Sequence, residues 1–422
     1  MPHATSTPPQ PRSADSTAVT EALLLITTGP QSYWQHSLAL MAAAQPVVLI
    51  APTEPTWEKA YIADYEVADP MDLKALRVAA ETLGRRHRLL GVLTWNEAAL
   101  VPAAHLAADL DLPGNSSATA TVCRNKTATH AVLAAGNVPS TAWERITDLD
   151  AAVTAADRIG FPVVLKPTAH AAGAGVIRAD GEEELDYAYA GASVAAGEQG
   201  REGTGLVIEE HLDGPEIAVE CVTQYGVTTA VAIVRTDVGP APHCEKAGHS
   251  VEAGDPLLAL AGPVAIAALD VLGFANGVSH VQVILTDSGP HILGVHGRLA
   301  DDLITYLVRE ATGIDLPRAA ADIACGRTPD LRSTRQQAAA VSMLYPPTSG
   351  LLTRRSAEPQ LYQQPWLDRL VWEYEVGDVI PQPFSPLESA RLGHLVTTGS
   401  TAARCFEHRD TAFGQLAVTV EP

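Results

Sequence analysis

The sequence predicts a mixed α/β and α+β chain of more than one domain, and three observations carry that expectation. Its first hundred residues alternate short apolar runs with helical stretches, its middle adds hairpins set off by turn residues, and its last 90 or so residues are β-rich with Pro and Gly turns. At 422 residues the chain exceeds what one ordinary core organises. With 46% hydrophobic and 18% charged residues, its composition is that of a globular protein and not of a fibrous or disordered one.

Residues 1–19, rich in Pro, Ser and Thr, read as a flexible tail without the apolar segment of a signal peptide. The first unit, 20–115, opens on the apolar run 21–28, closed by Gly29-Pro30, followed by a helical stretch at 31–44 and a second apolar run, VVLIA, at 47–51. A helix over 71–88, the buried strand LLGVLT at 89–94 and a helix over 97–110 complete it. Apolar strands alternating with helices indicate a parallel, doubly wound sheet. The unit has no GxGxxG, so nothing supports a dinucleotide site, but turns at the carboxyl ends of its strands can line a pocket.

The texture changes over 116–330. A helix over 118–135 ends at Gly136-Asn137, and a helix over 148–159 leads into the strand FPVVLKP at 161–167. A Gly/Ala loop at 170–175, a short strand at 176–179, a helix over 181–198 and the strand GLVIEEHL at 205–212 follow. Residues 216–223 and 227–235 read as a hairpin, 236–256 as a polar stretch, and 257–272 as a helix. A second hairpin, 279–286 with 290–296, precedes helices near 300–312 and 317–325. The remainder, 331–422, looks like a separate β-rich appendage.

Charge narrows the function. Lys and Arg number 28 against 49 Asp and Glu, a net charge of −21. Such a surface repels phosphate backbones and anionic lipid, which argues against a nucleic-acid or membrane partner while leaving room for a small anion in a locally basic pocket. No run reaches the roughly 18 apolar residues that span a bilayer. Cys123, Cys221, Cys244, Cys325 and Cys405 are odd in number and lack CxxC spacing, which indicates neither a disulfide framework nor a zinc site but a reduced, cytoplasmic protein.

Among chemistry-bearing residues, Lys166 ends an apolar strand immediately before a loop containing Gly173 and Gly175. A lysine aimed from a strand end at exposed backbone N–H groups suits a phosphate or base anchor, although on spacing alone a strand-end lysine before an ordinary turn is the commoner arrangement. Glu209 and Glu210 close the next strand, and Glu216 follows the Asp213-Gly214-Pro215 turn. Such carboxylates suit ribose hydroxyls or a metal, or form a solvated edge. His170, His243, His249, His280, His291 and His296 read first as ordinary polar residues.

The ordered set is more specific than its parts. RNKTATHAVLAAGNVPS (124–140), FPVVLKPTAHAAGAGV (161–176), VIEEHLDGPEIAVE (207–220) and GFANGVSHVQVILTDSGPHILGVHGRLADD (273–302) together resemble the ATP-grasp family, in particular its carboxylate–amine ligases that join amino acids into dipeptides. The resemblance runs from about residue 20 to the end. It implies an N-terminal α/β domain, a central two-lobed nucleotide clamp and a C-terminal β-rich domain. It further implies ATP and Mg²⁺ as cofactors, small carboxylate and amine substrates and, by analogy, a homodimer. Lys126 and Lys166 match the lysines of the phosphates and adenine, the loop with Gly173 and Gly175 the flexible phosphate loop, and Glu209 to Leu212 the hinge beside adenine. Glu216 matches the ribose carboxylate, and Arg298 the arginine on the transferred phosphate. His249 follows Glu245-Lys246-Ala247-Gly248, a stretch that looks like the substrate-facing loop, and is assigned with Arg298 to catalysis.

The sequence departs from the family at the metal. The two magnesium carboxylates fall on Gln282 and Gly294, and the asparagine two residues on falls on His296. Magnesium prefers hard, charged oxygens. His296 with His291 or Asp301 suits a softer ion such as manganese or zinc. Two functions follow: ATP-dependent ligation of a carboxylate to an amine through an acyl phosphate, or a catalytically impaired relative that binds nucleotide or metabolite, or supports a partner enzyme, without ligation. A carboxylate near Gln282 and Gly294 discriminates them, with Glu220, Glu245, Asp301 and Asp302 as candidates.

Overall fold

Apolar runs that are buried on both faces need helices on both sides, and the N-terminal end is built that way. In the computed structural model, which describes residues 19–169, 175–198, 205–239, 245–381 and 391–422, strands β1 (Thr20–Ile26), β2 (Val47–Ala51), β3 (Asp64–Val67) and β4 (His87–Leu93) form a sheet of order β3-β2-β1-β4. Every pairing in it is parallel. Leu23, Leu25, Val47 and Leu49 face a core with Trp34, Leu38 and Met41 of the helix Gln31–Ala44. Their neighbours Leu24, Ile26, Val48 and Ile50 face the opposite core with Leu76 and Leu83 of the helix Leu73–Gly84. β3 is missing from the sequence reading because DYEV is a polar edge strand with no apolar run.

The helix expected over 118–135 is two helices, Ser117–Arg124 and Lys126–Ala135. Asn125 between them takes extended backbone (φ −110°, ψ 106°), and its side chain accepts a hydrogen bond from Ala128 N, capping the second helix. Lys126 is therefore a first-turn residue, and its backbone N–H donates to the Thr168 carbonyl at 3.0 Å.

A small lobe follows: β5 (Trp143–Ile146), β6 (Val163–Pro167), β7 (Ile177–Ala179) and β8 (Leu206–Glu210), antiparallel in the order β5-β8-β6-β7. The helices Leu149–Ile159 and Leu185–Glu198 press Ala152, Ala155, Ala188 and Ala192 onto Ile146, Val163, Leu165, Ile177 and Ile208.

The large lobe is one eight-stranded sheet. β9 (Glu216–Gln224), β10 (Val227–Val238), β11 (Lys246–Glu252), β12 (Gly277–Thr286), β13 (Gly289–His296), β14 (Ala338–Leu344), then β15 (Gly350–Ala357), β16 (Leu367–Trp372), β17 (Val379–Ile380), β18 (Gly393–Gly399) and β19 (Leu416–Glu421) complete the chain. The sheet runs β13-β12-β9-β10-β11-β14-β18-β16, while β17-β15-β19 form a three-stranded sheet. One expectation is corrected: the polar stretch 236–256 contains β11. After residue 330, β14 pairs with β11 from Gly248↔Ser342 to Glu252↔Ala338. β14 is buried at all seven positions, so it has no polar face to announce where it docks. The segment expected to be β-rich also contains a helix, Ala402–Phe413, capped by Thr401.

Candidate functional site

Between the small lobe and the large sheet lies a cavity of about 360 Å³. Lys126, Lys166, Glu209, Glu210, Leu212, Glu216, His249, Gln282, His296 and Arg298 all line it, so one cavity gathers nearly every residue singled out in the sequence. Gly175 has φ +70°, and an added Cβ would lie 2.5 Å from Ala195 Cβ, so both conformation and space require glycine. Gly173, His170, His243 and Cys244 lie outside the described residues.

On the small-lobe side, strand alternation carries Lys166 into the cavity while Leu165 points into the lobe core. Lys166 Nζ lies 2.6 Å from Glu209 Oε2, with both side chains buried. His130 Nε2 meets the other oxygen of Glu209 at 3.0 Å. Burial pushes the Glu209 pKa up, but Lys166 and His130 outweigh it and hold it at about 2. For Lys126, burial comes first and the neighbouring Lys166 second; together they lower its pKa to about 8, against the pull of Glu209 and Glu97. Two neighbouring cations, Lys166 buried and Lys126 half-buried, form an anion-receiving surface.

The large-sheet wall is differently arranged. Lys246 Nζ donates to both oxygens of Glu216 at 2.5 Å, and Gln282 Nε2 lies 3.5 Å from Glu216 Oε1. Gln282 is opposite Gly294 across β12 and β13, and His280 is opposite His296. His296 Nε2 donates to Gln282 Oε1 at 3.1 Å, and its Nδ1 faces Glu97 Oε2 at 3.3 Å. Arg298 donates through Nε to Glu97 Oε2 at 2.6 Å, through Nη2 to Asp301 Oδ2 at 2.6 Å and through Nη1 to the Leu299 carbonyl at 2.8 Å. Its guanidinium therefore lines the cleft and is paired with Asp301 at the same time. Burial pushes Glu97 up, yet His296 and Arg298 hold it well below the usual carboxylate range. His280 Nδ1 bonds Glu220 Oε1.

His249, on β11, has Nδ1 3.3 Å from Thr236 Oγ1 and Nε2 3.6 Å from Asp302 Oδ2. Arg391 grips Asp302 at 2.5 and 3.3 Å and reaches Glu245 at 3.0 Å. Asp302 and Leu303 are consecutive non-glycine residues in left-handed backbone (φ 55° and 63°). That turn aims both Asp301 and Asp302 into the cavity and stores strain at the site.

Of the four carboxylates considered near the metal position, Glu220, Glu245, Asp301 and Asp302 are each engaged by His280, Arg391 or Arg298. Those that approach are Glu216 and Glu97. Among the described residues no three His, Cys, Asp or Glu side chains converge to hold a metal ion. Gln282 and His296 hydrogen-bond each other, and His291 bonds its own hairpin turn at Gly289. A neutral amide, an imidazole and a glycine do not fit magnesium.

Nothing in the sequence reading singles out Glu97 or His130, and Lys246 stands there only as part of the stretch before His249. Glu97 follows β4 at the carboxyl end of a parallel sheet, which is the one available signal. His130 and Lys246 become visible only when β8 and β9 are laid beside them.

Residues 124–236 match the family model described as phosphoribosylglycinamide synthetase, ATP-grasp (A) domain. The chain is 26% identical over 354 residues, 82% of its length and 72% of the other's, to the uncharacterized protein y4rH of Sinorhizobium fredii. It is 31% identical over 194 residues to phosphoribosylamine–glycine ligase of Yersinia pestis, covering 43% of each chain, less than half of that relative's length. The crystal structure of an L-amino acid ligase from Bacillus licheniformis superposes with a TM-score of 0.79 at 20% identity, over 96% of this chain and all of that one. The fold is the ATP-grasp fold. Within it, the chain resembles the carboxylate–amine ligases.

Proposed function

We propose that this protein ligates a carboxylate to an amine at the expense of ATP, the carboxylate being an amino acid or related metabolite. The observation that carries the reading is the convergence of Lys126, Lys166, Glu216 and Arg298, from four separate sequence blocks, on one cavity. The nucleotide lies between the lobes, with its phosphates toward Lys126 and Lys166, its adenine beside Glu209 to Leu212 and its ribose toward Glu216. A substrate carboxylate oxygen attacks the γ-phosphorus, the β,γ-bridge bond breaks and ADP leaves. The amine then attacks the acyl carbon, phosphate departs with the bonding pair, and the amine gives up its proton. Arg298 faces the charge that collects on the transferred phosphate. His249, between Thr236 and Asp302, is the imidazole placed to take the proton. The residues at the metal position do not fit magnesium, so no step is assigned to a protein-held ion.

A second reading, nucleotide binding without ligation, is favoured by the one observation that Gln282 and Gly294 stand where the resemblance implies carboxylates. The test is phosphate release from ATP across pairs of amino acids and amines, with mass detection of the condensed product. Ligation gives release that requires both partners and a product lighter than their sum by one water. Tight nucleotide binding with no partner-dependent release decides for the second reading.

A further inference from the structure

The wall that faces the nucleotide phosphates is closed on itself. Gln282 bonds His296, His296 meets Glu97, Glu97 bonds Arg298 and Arg298 bonds Asp301. Gly294 belongs to the same arrangement: a Cβ built there would lie 3.1 Å from Gln282 Oε1 and 3.8 Å from His296 Nε2. The amide of Gln282 thus occupies the space over Gly294 into which a longer side chain would have to grow. The polar ends of this string face protein partners, and none of them forms a set directed at an ion.

We infer that the site takes its nucleotide without a protein-ligated metal ion, so that metal-free and magnesium-bound nucleotide bind with nearly equal affinity; this rests on the cavity being the nucleotide site. The physical argument is linkage. A metal changes nucleotide affinity through the groups that contact it and through the charge it cancels on the phosphates, and the coupling is reciprocal. Carboxylates facing the phosphates create that coupling twice over, because they attract the ion and repel the bare phosphates. Gln282 and Gly294 remove both effects at their two positions, and the carboxylates that stay on this wall, Glu97, Asp301 and Asp302, are each paired with Arg298 or Arg391. The cations that remain, Lys126 and Lys166 on the opposite wall, act on phosphate oxygens directly.

Calorimetric titration of the full chain with ADP, and with an ATP analogue carrying a non-hydrolysable β,γ-bridge, tests this in excess EDTA and in excess Mg²⁺. The expected result is a Kd ratio between the two conditions within about threefold. Gln282→Glu combined with Gly294→Glu is expected to create a preference for the magnesium complex of about tenfold or more. Wild-type protein that binds the magnesium complex at least tenfold more tightly would overturn the inference while leaving the nucleotide assignment standing. Binding in neither condition overturns both. If the double variant does not fold, Gln282→Glu alone is read in the same two buffers, with the preference moving toward magnesium as the expected result and no movement counting against the inference.

Discussion

The charge of Lys126 responds to pH just above neutrality. Burial and Lys166 lower its pKa from 10.5 to about 8 in the unliganded protein. Phosphate beside the ammonium favours the charged form, so the bound state keeps a proton that the free site loses as pH rises through about 8. The sign is therefore fixed: nucleotide affinity falls with rising pH above about 8, and stays level below it. Between about pH 7 and pH 9.5 the expected loss is on the order of tenfold, read by calorimetry. Lys126→Arg, which keeps its charge throughout, is expected to flatten the profile. A level wild-type profile over that span would remove Lys126 from the phosphate site.

At the scale of elements, the break at Asn125 decides where Lys126 points. The helical pattern over 118–135 reads through the break, since residues on both sides favour helix and only the capping chemistry of Asn125 interrupts it. Its side chain accepts from Ala128 N at 3.1 Å and from Thr127 Oγ1 at 2.7 Å. Replacing Asn125 by Ala is expected to cost about 1 kcal/mol of stability. It is also expected to weaken nucleotide binding several-fold, because the first turn that carries Lys126 loses its anchor. Denaturant unfolding and calorimetry check the two effects, and a stability loss with unchanged affinity would separate the cap from the site. Other elements were legible for physical reasons. β1 and β2 are continuous apolar runs, and Leu23 to Ile26 serve two cores by alternation. β3, β5 and β11 were not legible, since polar or mixed strands become strands only when a neighbour supplies the ladder. The same holds for the site: Lys166 and Glu216 stand at strand ends that the sequence marks. Glu97 lies 201 residues from Arg298 along the chain, and its pairing depends on the N-terminal sheet docking against the large lobe.

For the whole molecule, the large sheet ties the end of the chain to the site in two ways. Ala339, Val341 and Met343 of β14 and Val396 of β18 share one core with Trp34, Leu38 and Leu307. Arg391, just before β18, holds Asp302, the carboxylate that faces His249. A chain ending at residue 330 therefore loses part of the core and leaves β11 as an open edge. Each large apolar side chain is worth roughly 1.5–3 kcal/mol on burial, so losing Val341, Met343 and Val396 from the shared core removes an amount comparable with a total stability of about 5–15 kcal/mol. An exposed edge beside apolar surface also invites strand pairing between molecules. The shortened chain is expected to aggregate, or to show no cooperative thermal transition, and to bind no nucleotide. The full chain is expected to melt the large sheet as one unit in calorimetry. Arg391→Ala separates the two roles, because it leaves β14 and β18 in place: it is expected to keep nucleotide affinity near wild type while lowering any ligation that depends on His249. A monomeric, cooperatively folded 1–330 chain with wild-type nucleotide affinity would show instead that the segment after 330 is an independent unit, and that the pairing of β14 with β11 is dispensable.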